Sequence, residues 1–595
     1  MRLRKKIVAA VSSAVLAAAM MAGCSSSSSS SAAADTTGTT AAVVASTVDG
    51  TQSAAAVLSA NKAVHTAASA GSASEITLSG SSASSTASGV TIDGSTVTIT
   101  AAGTYRISGT LTDGQIVVNA PDATVTLILD NASITSSATA AIAATEAEQL
   151  VIELAGGSTN TLADTSSYAE DADVNAALFS AGDLTITGSG ALTVTGNGND
   201  AITSKDGLLI QSGTITVNAK DDGIRGKDYV VVGGGTITVK AGGDGIKADN
   251  DTDADSGYVA ISAGTLTVTA GGDGVDAATD IVVTDGTMTI SSGGGHTAQV
   301  AGDASAKGLK SGVITVLEGG STTVDAADDA VHSDGAVHFA GATVSVAGGD
   351  DGVHAEGAQV IDGGSLEVTA AVEGLEAAEF VLNSGDVHVV SSDDGINGAG
   401  GTSSTSDQGF GGGPGGGETV GDFSVTINGG TLVIDAEGDG LDSNGTATIT
   451  GGTVVVNGPQ GNGNGALDVN GSFTISGGVL LAAGSAGMVV TPGTDSAQGW
   501  LSATLDDAVA AGTTIQITDS EGTVVASYVT SKTVQNIVYS SPAITSGEKY
   551  TVSVGGTASG DSTGGLAASG SLGSAATVAT VTAGEAPAGG FGRRR

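Results

Sequence analysis

Asp200-Ala201-Ile202, Asp222-Gly223-Ile224 and Asp244-Gly245-Ile246 follow one another at two equal steps of 22 residues. The same acid-small-aliphatic triplet continues as Asp273-Gly274-Val275, Asp329-Ala330-Val331, Asp351-Gly352-Val353, Glu373-Gly374-Leu375, Asp394-Gly395-Ile396 and Asp439-Gly440-Leu441. Lys307-Gly308-Leu309 keeps the shape with the charge reversed. Where a step is longer, an insertion accounts for it: acidic at 249–255, Gly- and His-containing near 293–305, Gly-rich at 399–417. Each unit also holds a stretch that alternates at period two, such as Gly213-Thr214-Ile215-Thr216-Val217, the signature of a strand with one buried face. Short strands separated by Gly and Asp, repeating every 22 residues or so, predict one coil of a solenoid per repeat.

The fold class expected is all-β: a right-handed, single-stranded parallel β-helix with about 22 residues per coil, plus a small C-terminal β module. A nine-residue calcium-binding β-roll does not fit that period, and the Leu/Asn scaffold of a leucine-rich repeat is missing. Ile202, Ile224, Ile246, Val275, Leu309, Val331, Val353, Leu375, Ile396 and Leu441 are expected to stack as one interior ladder. Composition agrees: 95 Gly, 6 Pro and 40% hydrophobic residues make the chain too apolar for disorder and rich in tight turns.

Outward from the repeat, residues 75–198 show strand texture with irregular spacing and are expected to form an N-terminal cap and the first coils. The regular helix is expected over 199–489, a β module over 490–556, and a flexible Gly/Ala/Ser tail over 557–595. At the other end, Arg2, Arg4, Lys5 and Lys6 precede an apolar run from Ile7 to Ala19. With Met21-Ala22-Gly23-Cys24 this reads as a lipoprotein signal over 1–23. Cys24, the sole cysteine, is the expected lipidation site, and 24–74 a flexible Ser/Ala/Thr-rich tether. No further stretch is apolar and long enough to span a bilayer, so membrane attachment is expected through the lipid only, on the extracellular face of the cell envelope.

A net charge of −43 makes nucleic acid a poor partner and favours a cation, or an anion bridged by one. Equivalent residues of successive coils lie about 4.8 Å apart. The triplet acids therefore make a column of like charge that needs screening, neutralising neighbours or bound cations. Calcium suits such clusters, because it takes six to eight oxygens in flexible geometry. The metal-ligand candidates are Asp222, Asp244 and Asp273 in the column, and Asp249, Asp251, Asp253 and Asp255 in the acidic insertion. That insertion is not an EF-hand, since it lacks the turn glycine and the closing glutamate. Three positions beyond the triplet acids runs an outward column: Thr203, Arg225, Lys247, Asp276, Lys310, His332, His354, Glu376, Asn397 and Asp442. Arg225 and Lys247, with Lys227 and Lys205 nearby, are the candidates to meet sugar carboxylates; the competing reading is internal charge balance. His332 and His354 fall one repeat apart, but no third ligand is evident from the sequence, so no transition-metal site is expected there.

The segments Ala176-Ala177-Leu178-Phe179-Ser180, Asp221-Asp222-Gly223-Ile224-Arg225-Gly226-Lys227-Asp228 and Gly242-Gly243-Asp244-Gly245-Ile246-Lys247-Ala248, followed by the acidic insertion and Gly257-Tyr258-Val259-Ala260-Ile261, resemble bacterial lipoproteins of the carbohydrate-binding domain-containing family. The resemblance implies a pectate-lyase-like β-helix that binds calcium and acidic polysaccharide of polygalacturonate (pectin) type. Few aromatics, 3% of the chain, argue against the ring-stacking platform used for neutral sugars. The reading is thus a non-catalytic, monomeric surface receptor. The alternatives are a calcium-dependent polysaccharide lyase, which fold analogy alone supports, and a structural adhesin.

Overall fold

The structure is a computed structural model and describes residues 48–66, 71–300, 302, 304–399 and 420–586. The signal segment, Cys24, most of the tether and the Gly-rich insertion lie outside the described residues. Almost all regular structure is β: a 46-stranded sheet, largely parallel, and a six-stranded antiparallel sheet.

Within the large sheet most strands pair in parallel with the strand three places before and the strand three places after. The chain thus advances one coil per three strands, which is the connectivity of a β-helix. The short strand Ile224–Gly226 pairs with Asp200–Ser204 on one side and Ile246–Ala248 on the other, in a register that sets Ile202 against Ile224 and Ile224 against Ile246. Later pairings set Val275 on Leu309, Leu309 on Val331, Val331 on Val353 and Leu375 on Ile396. Every member of the expected interior ladder, from Ile202 to Leu441, is 0% exposed. Each such side chain contributes roughly 2–3 kcal/mol by leaving water.

The small residue of the triplet has a steric reason. A Cβ on Gly245 would stand 2.2 Å from the Val268 side chain and 2.6 Å from the Gly274 carbonyl oxygen of the next coil. The backbone here runs too close to its neighbour for a larger residue. The triplet acid has a reason as well: the Asp244 amide donates to Asp222 Oδ1 at 2.9 Å, and the Asp273 amide to Asp244 Oδ1 at 2.8 Å. The Lys307 amide does the same to Asp273, the Asp351 amide to Asp329, and the Asp439 amide to Asp394. One carboxylate oxygen per coil is thereby used to satisfy a backbone amide of the next.

Three expectations about domain limits differ from what is seen. Residues 48–66, read as tether, lie along the helix: Ala54–Ala60 is an α-helix whose Ala54 and Val57 cover Val282, Ile314, Val316 and Ala336. Farther on, the Tyr258 hydroxyl donates to the Lys62 carbonyl, and the His65 amide donates to the Tyr229 hydroxyl. Burying those outer apolar side chains is what draws this segment onto the body. Second, part of the C-terminal module continues the large sheet: Val534–Ser540 pairs antiparallel with Val479–Gly484 and with Trp500–Val509. The reversal of direction ends the parallel stack and covers its edge. Third, 557–582 is not a tail: Thr557–Thr563, Leu566–Ser571 and Ala576–Thr582 are strands of the six-stranded sheet. Lys549–Val554 supplies the partner for the last of these.

Candidate functional site

Short strands such as Ile224–Gly226 and Ile246–Ala248 bury their first and third residues and leave the middle one half-exposed. That middle residue lies three positions after the triplet acid, so the acid and the residue after its strand start face each other along one side of the solenoid. The side chains there form a continuous ladder of charges.

In its first part the ladder is filled by the chain's own cations. Arg225 is ion-paired to Asp249 and lies 3.7 Å from the fully buried Asp200. Lys247 is bonded to Asp244 and stands 4.0 Å from Asp222 and 3.4 Å from Asp276. Lys310 bridges Asp273 at 3.2 Å and Asp276 at 3.3 Å. Lys307 contacts Asp328 and Asp329. Burial still pushes Asp222 up to about 7, with Lys247 opposing it.

The candidates are thus placed as follows. Asp222, Asp244 and Asp273 are brought together in one column, with lysines between them; Asp244, Asp273 and Asp276 are close enough to share an ion. The acidic insertion does not converge. Asp251, Asp253 and Asp255 are exposed, while Asn250 organises the loop by accepting from the Thr252 and Asp253 amides. Asp249 alone joins the ladder, through Arg225. Lys205 lies 5.9 Å over the Phe179 ring, and Lys227 is exposed.

In the middle part, histidines take the cation's place. His332 Nδ1 lies 2.8 Å from Asp329 Oδ2 and His354 Nδ1 2.8 Å from Asp351 Oδ2. Beyond them the ladder holds no base at all. Its outward positions there are Glu376, Asn397 and Asp442, stacked in register beside Glu373, Asp394 and Asp439, with Asp468 following on Asp442. Between Ser311 and Ser531 the chain contains neither Lys nor Arg. Burial pushes Glu376 up to about 8, with His354 opposing and Glu373 adding. Asp394 rises to about 7 through burial and then Asp439 and Asp393, and Asp442 to about 8 through burial and then Asp394 and Asp468. Asn397 Nδ2 donates to Glu373 at 2.6 Å, while its Oδ1 is buried with no hydrogen-bond partner.

Sequence reasoning listed these later acids in the repeat without naming any of them as a ligand, and it passed over Lys62. Lys62 reaches from the docked N-terminal segment to Asp228 and, at 2.7 Å, to Asp206. The long Lys- and Arg-free stretch was the available signal for the acids; for Lys62, more than a hundred residues from its partners, there was none. A cleft of about 440 Å³ opens beside the ladder, lined in part by Gln299, Ala304, Ala327, Asp328, Gly349 and Asp350.

Fold and site together define a β-solenoid carrying a graded ladder of buried acids on one side. Residues 93–352 match the family described as carbohydrate-binding domain-containing protein. A carbohydrate-binding domain-containing protein of Acetivibrio thermocellus is 37% identical over 120 residues, 19% of this chain and 42% of that protein, so less than half of the relative's length is spanned. A solved polysaccharide lyase-like protein from C. thermocellum, a gadolinium derivative, aligns at 34% identity over 37% of this chain and 91% of that one, with a TM-score of 0.35.

Proposed function

We propose that this protein binds acidic polysaccharide, of the polygalacturonate or pectin type, with calcium. In this reading it is a right-handed β-helix with a unit coil of about 22 residues, a register that recurs along the ladder. A lipid on Cys24 holds it, as a monomer, at the extracellular face of the cell envelope.

The observation that carries the proposal is the ladder itself: a file of charges at coil spacing, whose part before residue 352 lies within the residues that match a carbohydrate-binding family. A uronate polymer presents carboxylates in a similar file. Lys227 and, from its place over the Phe179 ring, Lys205 are exposed one repeat apart and can meet them, whereas Arg225 and Lys247 are held by acids of the chain. Calcium belongs where carboxylates stand without Lys or Arg, at Glu373, Glu376, Asp394 and Asp442. At Glu376, Asp394 and Asp442 it would replace the protons that burial favours. Asp222, Asp244 and Asp273 come second, because an ion there has to displace lysine.

The test is titration of the mature chain with polygalacturonate, first with calcium and then with chelator. Saturable binding that chelation abolishes supports the reading. Absence of binding in both conditions removes it.

A further inference from the structure

We propose that His332 and His354, together with Asp329, Asp351 and Glu376, form a site for one divalent transition-metal ion of the zinc class, which adjoins the acids proposed for calcium and shares Glu376 with them. Two imidazoles on neighbouring coils are stacked, with centroids 4.9 Å apart and planes inclined by 27°. Asp329, His332 and His354 each offer a ligand atom within 4.8 Å of the other two. Asp351, His354 and Glu376 do the same, and His354 belongs to both groups. The third ligand that the sequence did not reveal is thus supplied by the coils on either side.

The chemistry of the donors selects the ion. Imidazole nitrogen with carboxylate oxygen is the ligand set of zinc, cobalt and nickel, whereas calcium takes oxygen alone. A further observation points to a bound cation. The surroundings are over-supplied with negative charge: Asp334 Oδ1 stands 3.1 Å from His332 Nε2, and Glu356 Oε1 3.7 Å from His354 Nε2. Lys307, on Asp329 and Asp328, is the one Lys or Arg ion-paired here among the described residues. Protonating both stacked rings would balance that charge only by setting two like charges face to face. A single divalent ion balances it with both rings neutral. Ligands of a 2.0–2.1 Å shell lie at most about 4.2 Å apart, so small rotamer changes of the carboxylates close either triad around His354.

The experiment uses the whole mature chain, stripped with chelator and dialysed against zinc or cobalt alone in the presence of excess calcium. One ion retained per chain is expected, and cobalt is expected to show the visible bands of a nitrogen-ligated ion. His332→Gln and His354→Gln should each weaken retention by at least about tenfold, and Glu376→Gln measurably, while His338→Gln leaves it unchanged. His338 is the control because it is engaged elsewhere, with the Gln52 carbonyl and Asp362. Should either ladder-histidine variant fail to fold, the cobalt spectrum of the unaltered chain decides. No retained ion, an oxygen-only cobalt spectrum, full displacement by calcium, or retention indifferent to both histidines would each overturn the proposal.

Discussion

The two ends of the charge ladder solve the same problem differently. Around residues 200–310 each outward position opposite a buried acid tends to be Arg or Lys, and the acids are neutralised within the chain. Around residues 373–442 the same positions are Glu376, Asn397 and Asp442, and the acids are driven toward their protonated forms instead. Fold, register and interior ladder are common to both ends, so backbone geometry does not set the difference. It lies in one residue per coil. A parallel solenoid can therefore be structural at one end and cation-seeking at the other with no change of architecture.

The largest effect is expected from turning the first region into the second. Lys247→Met leaves Asp222, Asp244 and Asp276 around an uncharged side chain, and losing one partner of a buried ionic network costs about 3 kcal/mol. Urea denaturation at pH 8 should show that loss, and calcium should restore part of it in the variant only. An unchanged midpoint would mean that solvent already screens the acids, and the contrast between the regions would collapse.

Next in size is a pH effect, which is larger in the second region, where Asp222 of the first has three counterparts. Glu376, Asp394 and Asp442 have folded values near 8, 7 and 8 against ordinary values of 4.5, 3.8 and 3.8. The folded chain then binds more protons than the unfolded one between about pH 4 and pH 8. Stability from this source is fully present below about pH 4 and is lost as pH rises through 7–8. A fall on the order of 2 kcal/mol between pH 5.5 and 8.5 is expected, reversed by calcium at the higher pH. His354 adds to the same trend. Burial works against its charge, but the Asp351 hydrogen bond and the charges of Asp329 and Asp351 outweigh it and raise it to about 9. A stability profile that rises with pH over this range would contradict the account.

A smaller, opposite change comes from turning the second region into the first. Asn397→Lys sets an ammonium among Glu373, Asp394 and Asp442, the place Lys247 holds among Asp222, Asp244 and Asp276. We expect a gain of about 1 kcal/mol without calcium and a loss of calcium's stabilising effect, both visible in thermal melts at pH 8. A destabilised variant would show that Asn397 is held for its hydrogen bond to Glu373 rather than for its lack of charge.

What the sequence made legible follows from what repeats. The interior residues recur at a fixed step and obey one rule, burial, so Ile202 to Leu441 are found where the triplets place them. The outward column recurs too, and its members were readable as a list. Their meaning was not, because it depends on which charges meet across coils: Lys247 answers acids of three different coils at once. Attention therefore went to the densest acidic run, 249–255, where Asp249 is taken by Arg225 and Asp251, Asp253 and Asp255 are exposed. Non-repeating parts were misread for a related reason. Ala576–Thr582 and the 48–66 segment are rich in small residues with weak apolar patterning, and only the partner surfaces, Lys549–Val554 and the outer face near Val282, make them ordered.

The smallest expected effect is also the sharpest check on the proposed placement of calcium. Replacing Asp251, Asp253 and Asp255 together by Asn removes three exposed charges that share no partner with the ladder. The thermal midpoint should stay within about 1 °C of the parent. Calcium-dependent binding of polygalacturonate should keep its affinity, because the acids that lack Lys and Arg neighbours lie more than a hundred residues later in the chain. Replacing Glu376 and Asp442 by Gln and Asn should remove the calcium dependence instead. If the loop variant were the one to lose it, the exposed aspartates would be the calcium ligands, and the first region would be the functional one.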